Sequence, residues 1–194
     1  MQENKPVLIV GLGNPGPEYM MTRHNVGFMA LDALAGTDAS WKSEKNALTT
    51  RIEIDGVRAI LAKPQTFMNN SGYAVCEAAS FYKIPSENII VISDDVNLDV
   101  GRLRVRGSGS AGGQKGLNDI IVQMGTDKIP RIRLGVGKKP HPDYDMANWV
   151  LGVFPELDRK SIDELMPVVY QGIEKLLAGD VDGAMQICNG AKSK

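Results

Sequence analysis

The side chains in this chain best suited to chemistry are His24, the acidic pair Asp94-Asp95, and the carboxamides Asn14 and Asn69. An imidazole beside a carboxylate can take a proton from water, and a carboxamide N–H can hold a carbonyl oxygen without adding charge. Together they specify hydrolysis. The chain has only two histidines. His141 sits in KKPHPDYD, a charged, proline-rich segment where an exposed ring is expected, so His24 is the candidate base. Taken alone, a single histidine is more often a helix cap or a hydrogen-bonded core residue, and Asp94-Asp95 more often caps a turn. Asn70 has a strong claim as the cap of the helix that follows it, Asn69 a weaker one. A divalent metal at Asp94-Asp95 is disfavoured because too few ligands lie nearby in the sequence.

Asn14 lies in GLGNPG, Gly11 to Gly16, immediately after the apolar run Val7 to Val10. These letters match the GxGxxG dinucleotide fingerprint. The fingerprint's third glycine belongs in the first turn of a helix, yet Pro15 and Pro17 flank Gly16. The acidic residue required about 20 positions on is Asp32, which falls in a helical pattern. The motif is therefore read as a turn that places Asn14 at a strand end, and no cofactor is expected. A nucleotide-dependent oxidoreductase is the reading GxGxxG alone would favour.

The elements that position these residues follow from periodicity. Val26 to Ala35 carries Phe28, Leu31 and Leu34 at helical spacing and stops at Gly36. Leu48 to Ile54 and Val57 to Ala62 flank Asp55-Gly56, a hairpin signal. Ser71 to Lys83 reads as a helix, Ile89 to Ile92 as a buried strand, and Leu103 to Arg106 as another strand. A glycine-rich loop from Gly107 to Gly113 follows, then a helix from about Leu117 to Met124 and the strand Arg131 to Val136. Ser161 with Glu164 predicts a capping box for a helix lined by Ile162, Leu165, Val169, Ile173 and Leu176 and ending near Gly179, with Pro167 starting or kinking it. The order predicts an α/β fold: a single domain over residues 1–194, with a twisted mixed β-sheet flanked by helices on both faces. In such a sheet ligands bind outside the carboxyl ends of the strands, where Asn14, His24, the stretch Lys63 to Asn69, and Asp94 all fall.

Composition is that of an ordinary soluble protein, 43% hydrophobic and 23% charged. The opening residues Met1 to Lys5 are polar and no long apolar run occurs, so neither an export signal nor a membrane span is expected, and the cytoplasm is the expected compartment. Cys76 and Cys188 are far apart and read as isolated thiols. The net charge of -1 argues against indiscriminate coating of nucleic acid, but a local basic track is compatible with it. Arg102, Arg104 and Arg106 alternate with Leu103 and Val105, so in a strand all three share a face. Arg131 and Arg133 repeat the pattern, and Lys115 lies near the glycine-rich loop. Isolated arginines of this kind usually form a solvated face; two alternating runs read as a track for a phosphodiester backbone.

With these motifs in place, the chain resembles the bacterial-type peptidyl-tRNA hydrolases. GLGNPGPEY with TRHNVGF, then KPQTFMNNSG, then SDDVNLDVGRLRVR with GSGSAGG, then RIRLGVG, occur in that family's order and approximate spacing. The resemblance implies metal-free cleavage by water of the ester between a peptide's terminal carbonyl and the terminal ribose of tRNA. It implies that His24 deprotonates water, that Asp94 orients the ring, and that Asn14 and Asn69 hold the substrate's peptide or carbonyl end, with Asn69 the candidate oxyanion donor. Tyr19 and Met68 match cleft-lining positions, and Arg104, Arg106 and Arg131 match positions that meet tRNA phosphates. The family usually continues HNG after the glycine loop, whereas this chain has Gln114-Lys115-Gly116. Lys115 can donate to a carbonyl or a phosphate, so activity is expected to survive with altered substrate affinity. The expected partner is peptidyl-tRNA, with no membrane and a monomeric state. The alternative is a catalytically inactive RNA-binding homologue on the same scaffold, for which Gln114-Lys115 is the only support.

Overall fold

The apolar run Val7–Gly11 forms β1, buried throughout, and it lies between two parallel neighbours, β4 (Val57–Pro64) and β5 (Ile89–Asp95). A strand covered on both faces has no polar side to alternate with, which is why VLIV and IIVI read as continuous apolar runs. The computed structural model describes residues 6–193, so the polar stretch 1–5 lies outside the described residues. β3 (Ala47–Ile54) pairs antiparallel with β4 through Asp55-Gly56. Both turn residues take positive φ, 49° and 77°, as the two-residue turn matching sheet twist requires. β2 (Lys42–Glu44) closes that edge. On the other side β7 (Arg131–Gly135) runs parallel to β5, and β6 (Leu103–Arg106) lies antiparallel on β7. Among the described residues this gives one seven-stranded mixed sheet in the order β2-β3-β4-β1-β5-β7-β6.

Helices cover both faces. α1 (Val26–Ala35), α5 (Glu156–Leu177) and α6 (Val181–Asn189) bury Leu31, Leu165, Ile173 and Ala184 with Ile9, Ile92 and Ile132. On the opposite face α2 (Ser71–Tyr82) and α3 (Lys115–Met124) bury Val75, Leu117 and Ile120 with Leu8, Val10 and Val91. A short α4 (Met146–Val150) lies beside the strand ends. Among the described residues no helix is long and apolar enough to cross a membrane.

The first glycine of GLGNPG serves packing. A Cβ on Gly11 would overlap the carbonyl of Gly27, and one on Gly27 would overlap the backbone nitrogen of Leu12. The absence of side chains at both positions lets α1 seat its first turn directly on the end of β1. That contact carries the turn Arg23–Asn25, immediately ahead of α1, to the carboxyl end of the sheet.

Two helix starts and one cap differ from the sequence reading. α5 begins at Glu156, after Pro155, so Ser161 lies inside the helix and the expected capping box is not formed; Pro167 is also internal. Nothing apolar is buried between Glu156 and Ser161, so hydrophobic periodicity is silent over the first turn. Asn70 precedes α2 but its side chain makes no cap hydrogen bond; the Ser71 hydroxyl instead donates to the Met68 carbonyl at 2.7 Å. α3 starts at Lys115, and the residue that caps it is Gln114.

Both cysteines are free thiols. Cys188 is fully buried and desolvation pushes its thiol up to about 11; burial also raises Cys76, which is only half-buried. Because the thiolate is the nucleophile, a maleimide at neutral pH is expected to modify folded protein at Cys76 first. Cys188 should react only as fast as the chain unfolds, which peptide mapping over a denaturant series will show.

Candidate active site

The parallel strands β1, β4, β5 and β7 end on one edge of the sheet, and a cleft of about 540 Å³ opens there, lined by Asn14, His24, Met68, Asn69, Asp94 and Gln114 among others. Asp94 is the penultimate residue of β5 and only 3% exposed. Its Oδ2 lies 2.8 Å from Nδ1 of His24, whose ring is mostly buried. With the carboxylate ionised, the shared proton belongs to Nδ1, which donates it to Asp94. Nε2 then keeps its lone pair and is the basic nitrogen of the ring.

The turn that holds His24 is tied down on both sides. Ahead of it, Thr22 forms a β-bridge with Val153, Arg23 N–H donates to the Gly152 carbonyl at 3.0 Å, and the Arg23 guanidinium stacks on Trp149 at 3.7 Å. Burial lowers the Arg23 pKa, with Asp158 opposing. Behind it, Asn25 is buried and clamps the backbone of Asn14 in both directions: Oδ1 accepts from Asn14 N–H and Nδ2 donates to its carbonyl, each at 2.9 Å. The Asn14 side chain is oriented in turn, because its Oδ1 accepts the Met68 N–H at 2.8 Å. The other end of that amide, Nδ2, is a hydrogen-bond donor.

Met68 and Asn69 lie in the turn Met68–Asn70 after β4, Met68 buried and Asn69 exposed on the cleft wall. Phe67, half exposed, precedes them with φ +60°, an unfavourable backbone conformation for a non-glycine residue that its surroundings must hold. The Tyr19 ring meets Phe67 edge-on with centroids 6.3 Å apart. Tyr19 was expected to line the cleft; Phe67 does so, and Tyr19 braces it. Lys115, the first residue of α3, is exposed and lines the cleft.

The arginines divide. Arg104 and Arg106 are exposed on β6, alternating with buried Leu103 and Val105. Their register partners on β7 are Arg133 and Arg131, and directly opposed residues share a face. Arg133 lines the cleft, with Nε 3.1 Å from Asp95 Oδ2. Arg131 does not meet the expectation of a phosphate contact. It is 2% exposed, and its guanidinium donates to four carbonyls, those of Ile129 (2.7 Å), Gly109 (2.6 Å), Ser110 (3.2 Å) and Asp127 (3.1 Å). Desolvation, with Arg133 adding to it, lowers its pKa. Strand alternation assigns Arg131 to a face, but the glycine-rich loop folds over that face and encloses the side chain.

Asn25 and the apolar wall are not among the site residues expected from the sequence, whereas Gln114 stands there only as a departure from the usual histidine. Asn25 lies in TRHNVGF, but nothing in that stretch tells what its side chain holds. The apolar wall is formed by Val96, next to the acidic pair, and by Met146, Val150 and Leu151 at α4, a segment with no chemical motif. Gln114 is buried and bridges the site: Oε1 accepts the Leu117 N–H at 2.7 Å, and Nε2 lies 3.0 Å from Asp94 Oδ1 and 3.1 Å from the Met68 sulfur. Among the described residues, no group of three or more His, Cys, Asp or Glu side chains is placed to hold a metal ion.

Comparison with known proteins gives a consistent result. The family model described as peptidyl-tRNA hydrolase matches residues 8–194. A peptidyl-tRNA hydrolase of Clostridium acetobutylicum is 44% identical over 187 residues, covering 95% of this chain and 98% of the relative. One from Thermoanaerobacter sp. is 45% identical over 186 residues, covering 94% and 99%. The crystal structure of peptidyl-tRNA hydrolase from Acinetobacter baumannii superposes with a TM-score of 0.90 at 32% identity, covering 99% of this chain and 98% of that one.

Proposed function

The chain belongs to the peptidyl-tRNA hydrolase family of carboxylic ester hydrolases, and on that basis we propose which of its residues cleave the ester that joins peptide to tRNA. The observation that carries the assignment is the 2.8 Å contact between His24 Nδ1 and Asp94 Oδ2 at the base of the cleft. Water bound against Nε2 of His24 gives up a proton as its oxygen attacks the ester carbonyl carbon. Asp94 stabilises the imidazolium that forms. Charge builds on the carbonyl oxygen, where the Asn69 amide is the candidate donor, and Asn14 Nδ2 holds the adjoining peptide. Collapse of the tetrahedral intermediate expels the ribose oxygen, which takes the proton back from His24. The products are a peptide carboxylate and a tRNA with its terminal hydroxyl restored.

An alkyl ester is easier to cleave than an amide, so selectivity rests on docking the tRNA rather than on exceptional catalytic power. Arg104 and Arg106, exposed on the face that Arg133 extends into the cleft, are the proposed phosphate contacts, and Lys115 is the proposed substrate contact at the mouth. Reversing both charges, Arg104→Glu with Arg106→Glu, is expected to raise KM for N-acetyl-aminoacyl-tRNA steeply and leave kcat unchanged. The slope of log affinity against log salt should fall by about one per lost phosphate contact. An unchanged KM and slope would remove these residues from the interface.

The inactive RNA-binding alternative gains nothing from these relatives, each of which is named as a hydrolase. We read residues 1–194 as one domain built on the single sheet. We place the protein in the cytoplasm, where its substrate arises. A monomer suffices, since every proposed catalytic group comes from one chain.

A further inference from the structure

We propose that Gln114 is a positioning residue for the reaction: its carboxamide holds one oxygen of the Asp94 carboxylate and so keeps the other aimed at Nδ1 of His24. The inference rests on the hydrolytic reading of the His24–Asp94 pair.

The orientation of the Gln114 amide is settled by its partners. The Leu117 backbone N–H is a donor, so the atom 2.7 Å from it must be the amide oxygen. The NH2 end then points the other way, toward Asp94 Oδ1 at 3.0 Å and the Met68 sulfur at 3.1 Å. An ionised carboxylate accepts at both oxygens, and here the two are divided, Oδ1 to Gln114 and Oδ2 to His24. A carboxylate held at one oxygen only can rotate about its Cβ–Cγ bond; held at both, it cannot do so without breaking a charge-assisted hydrogen bond.

Capping alone does not explain a glutamine here. The cap position needs only an acceptor, and Asp, Asn, Ser and Thr, with shorter side chains, fill it best. Glutamine adds a methylene and a donor end, and it is the donor end that reaches Asp94. The same side chain therefore joins the start of α3 to the carboxyl end of β5, and it is buried in doing so. Because it does not titrate, it supplies this donor at every pH.

The two roles are separable by substitution. Gln114→Glu keeps an acceptor for the Leu117 N–H but sets a carboxyl group against Oδ1. Gln114→Met keeps the length and loses both contacts. Gln114→His offers a ring N–H toward Oδ1. The test measures kcat, KM and Tm for these variants, the wild type and His24→Ala, with N-acetyl-aminoacyl-tRNA at mildly alkaline pH. The proposal expects Gln114→Glu to lose about tenfold to a hundredfold in kcat, the equivalent of one charge-assisted hydrogen bond, with KM near wild type and Tm lowered by the buried pair of like charges. It expects Gln114→Met to lose kcat and Tm together, and Gln114→His to recover most of kcat. Wild-type kcat in Gln114→Glu, or a loss in KM alone, would overturn it and leave Gln114 as a helix cap. Full activity in His24→Ala would instead overturn the hydrolytic reading itself, so the two failures are distinguishable.

Discussion

Asp94→Asn and His24→Ala are each expected to lower kcat for peptidyl-tRNA by about 10²–10⁴-fold, the range set by general base catalysis, with KM little changed. Asn at position 94 is nearly isosteric with Asp, so the fold and cleft should persist. It removes the negative charge that stabilises the imidazolium, and its NH2 group, if turned toward Nδ1, favours the tautomer with its proton on the wrong nitrogen. Asp94 also accepts the Gln114 amide at 3.0 Å, so the substitution disturbs both hydrogen bonds that orient the pair. His24→Ala removes the proposed base outright. In the proposed mechanism the two residues act as one unit, so the double variant should be scarcely slower than the worse single one, which steady-state kinetics on all three will show. A multiplicative loss would mean that they act independently.

Arg131→Met is expected to act on stability with no effect on tRNA binding. Four carbonyls lose their donor, those of Ile129, Gly109, Ser110 and Asp127. A buried acceptor left unpaired costs about 1–3 kcal/mol, and the loop carbonyls can be partly rehydrated, so the net loss should be about 2–5 kcal/mol. For a chain of this size that lowers Tm by about 5–15 °C. The salt dependence of tRNA binding should match wild type, in contrast to the double charge reversal at Arg104 and Arg106. An unchanged Tm with a reduced salt slope would return Arg131 to the phosphate track.

Sequence periodicity carries the sheet well where strands are apolar runs, as β1 and β5 are, or alternate, as β6 and β7 do, and the hairpin is fixed by the positive-φ pair Asp55-Gly56; the polar edge strand β2 leaves no such trace. It fails where local pattern and tertiary context part. The first turn of α5 buries nothing apolar, so its start at Glu156 leaves no periodic trace. Alternation places Arg131 and Arg133 on a face but cannot tell that a loop will close over one of them. The candidate site is legible as a set of residue types at strand ends, since parallel strands must all end on the same edge. What holds that set is not. Asn25 clamping Asn14, and Gln114 joining Asp94 to Leu117, are contacts whose partners no motif or spacing names, although both residues stand in stretches that the sequence singles out. The first glycine of GLGNPG shows the converse: it stands in a strong local match, yet its physical reason, the close approach of Gly11 and Gly27, has nothing to do with phosphate.

The measurement closest to the central claim is single-turnover cleavage of a labelled N-acetyl-aminoacyl-tRNA by excess enzyme in heavy-oxygen water, quenched in acid and read by mass spectrometry, with His24→Ala alongside. Water activated by His24 should place one heavy oxygen in the released peptide carboxylate and none in the tRNA, with no peptide attached to the protein at any time. The rate should collapse in His24→Ala while the variant still binds the tRNA. A peptide caught on His24, or cleavage by His24→Ala at the wild-type rate, would contradict the account.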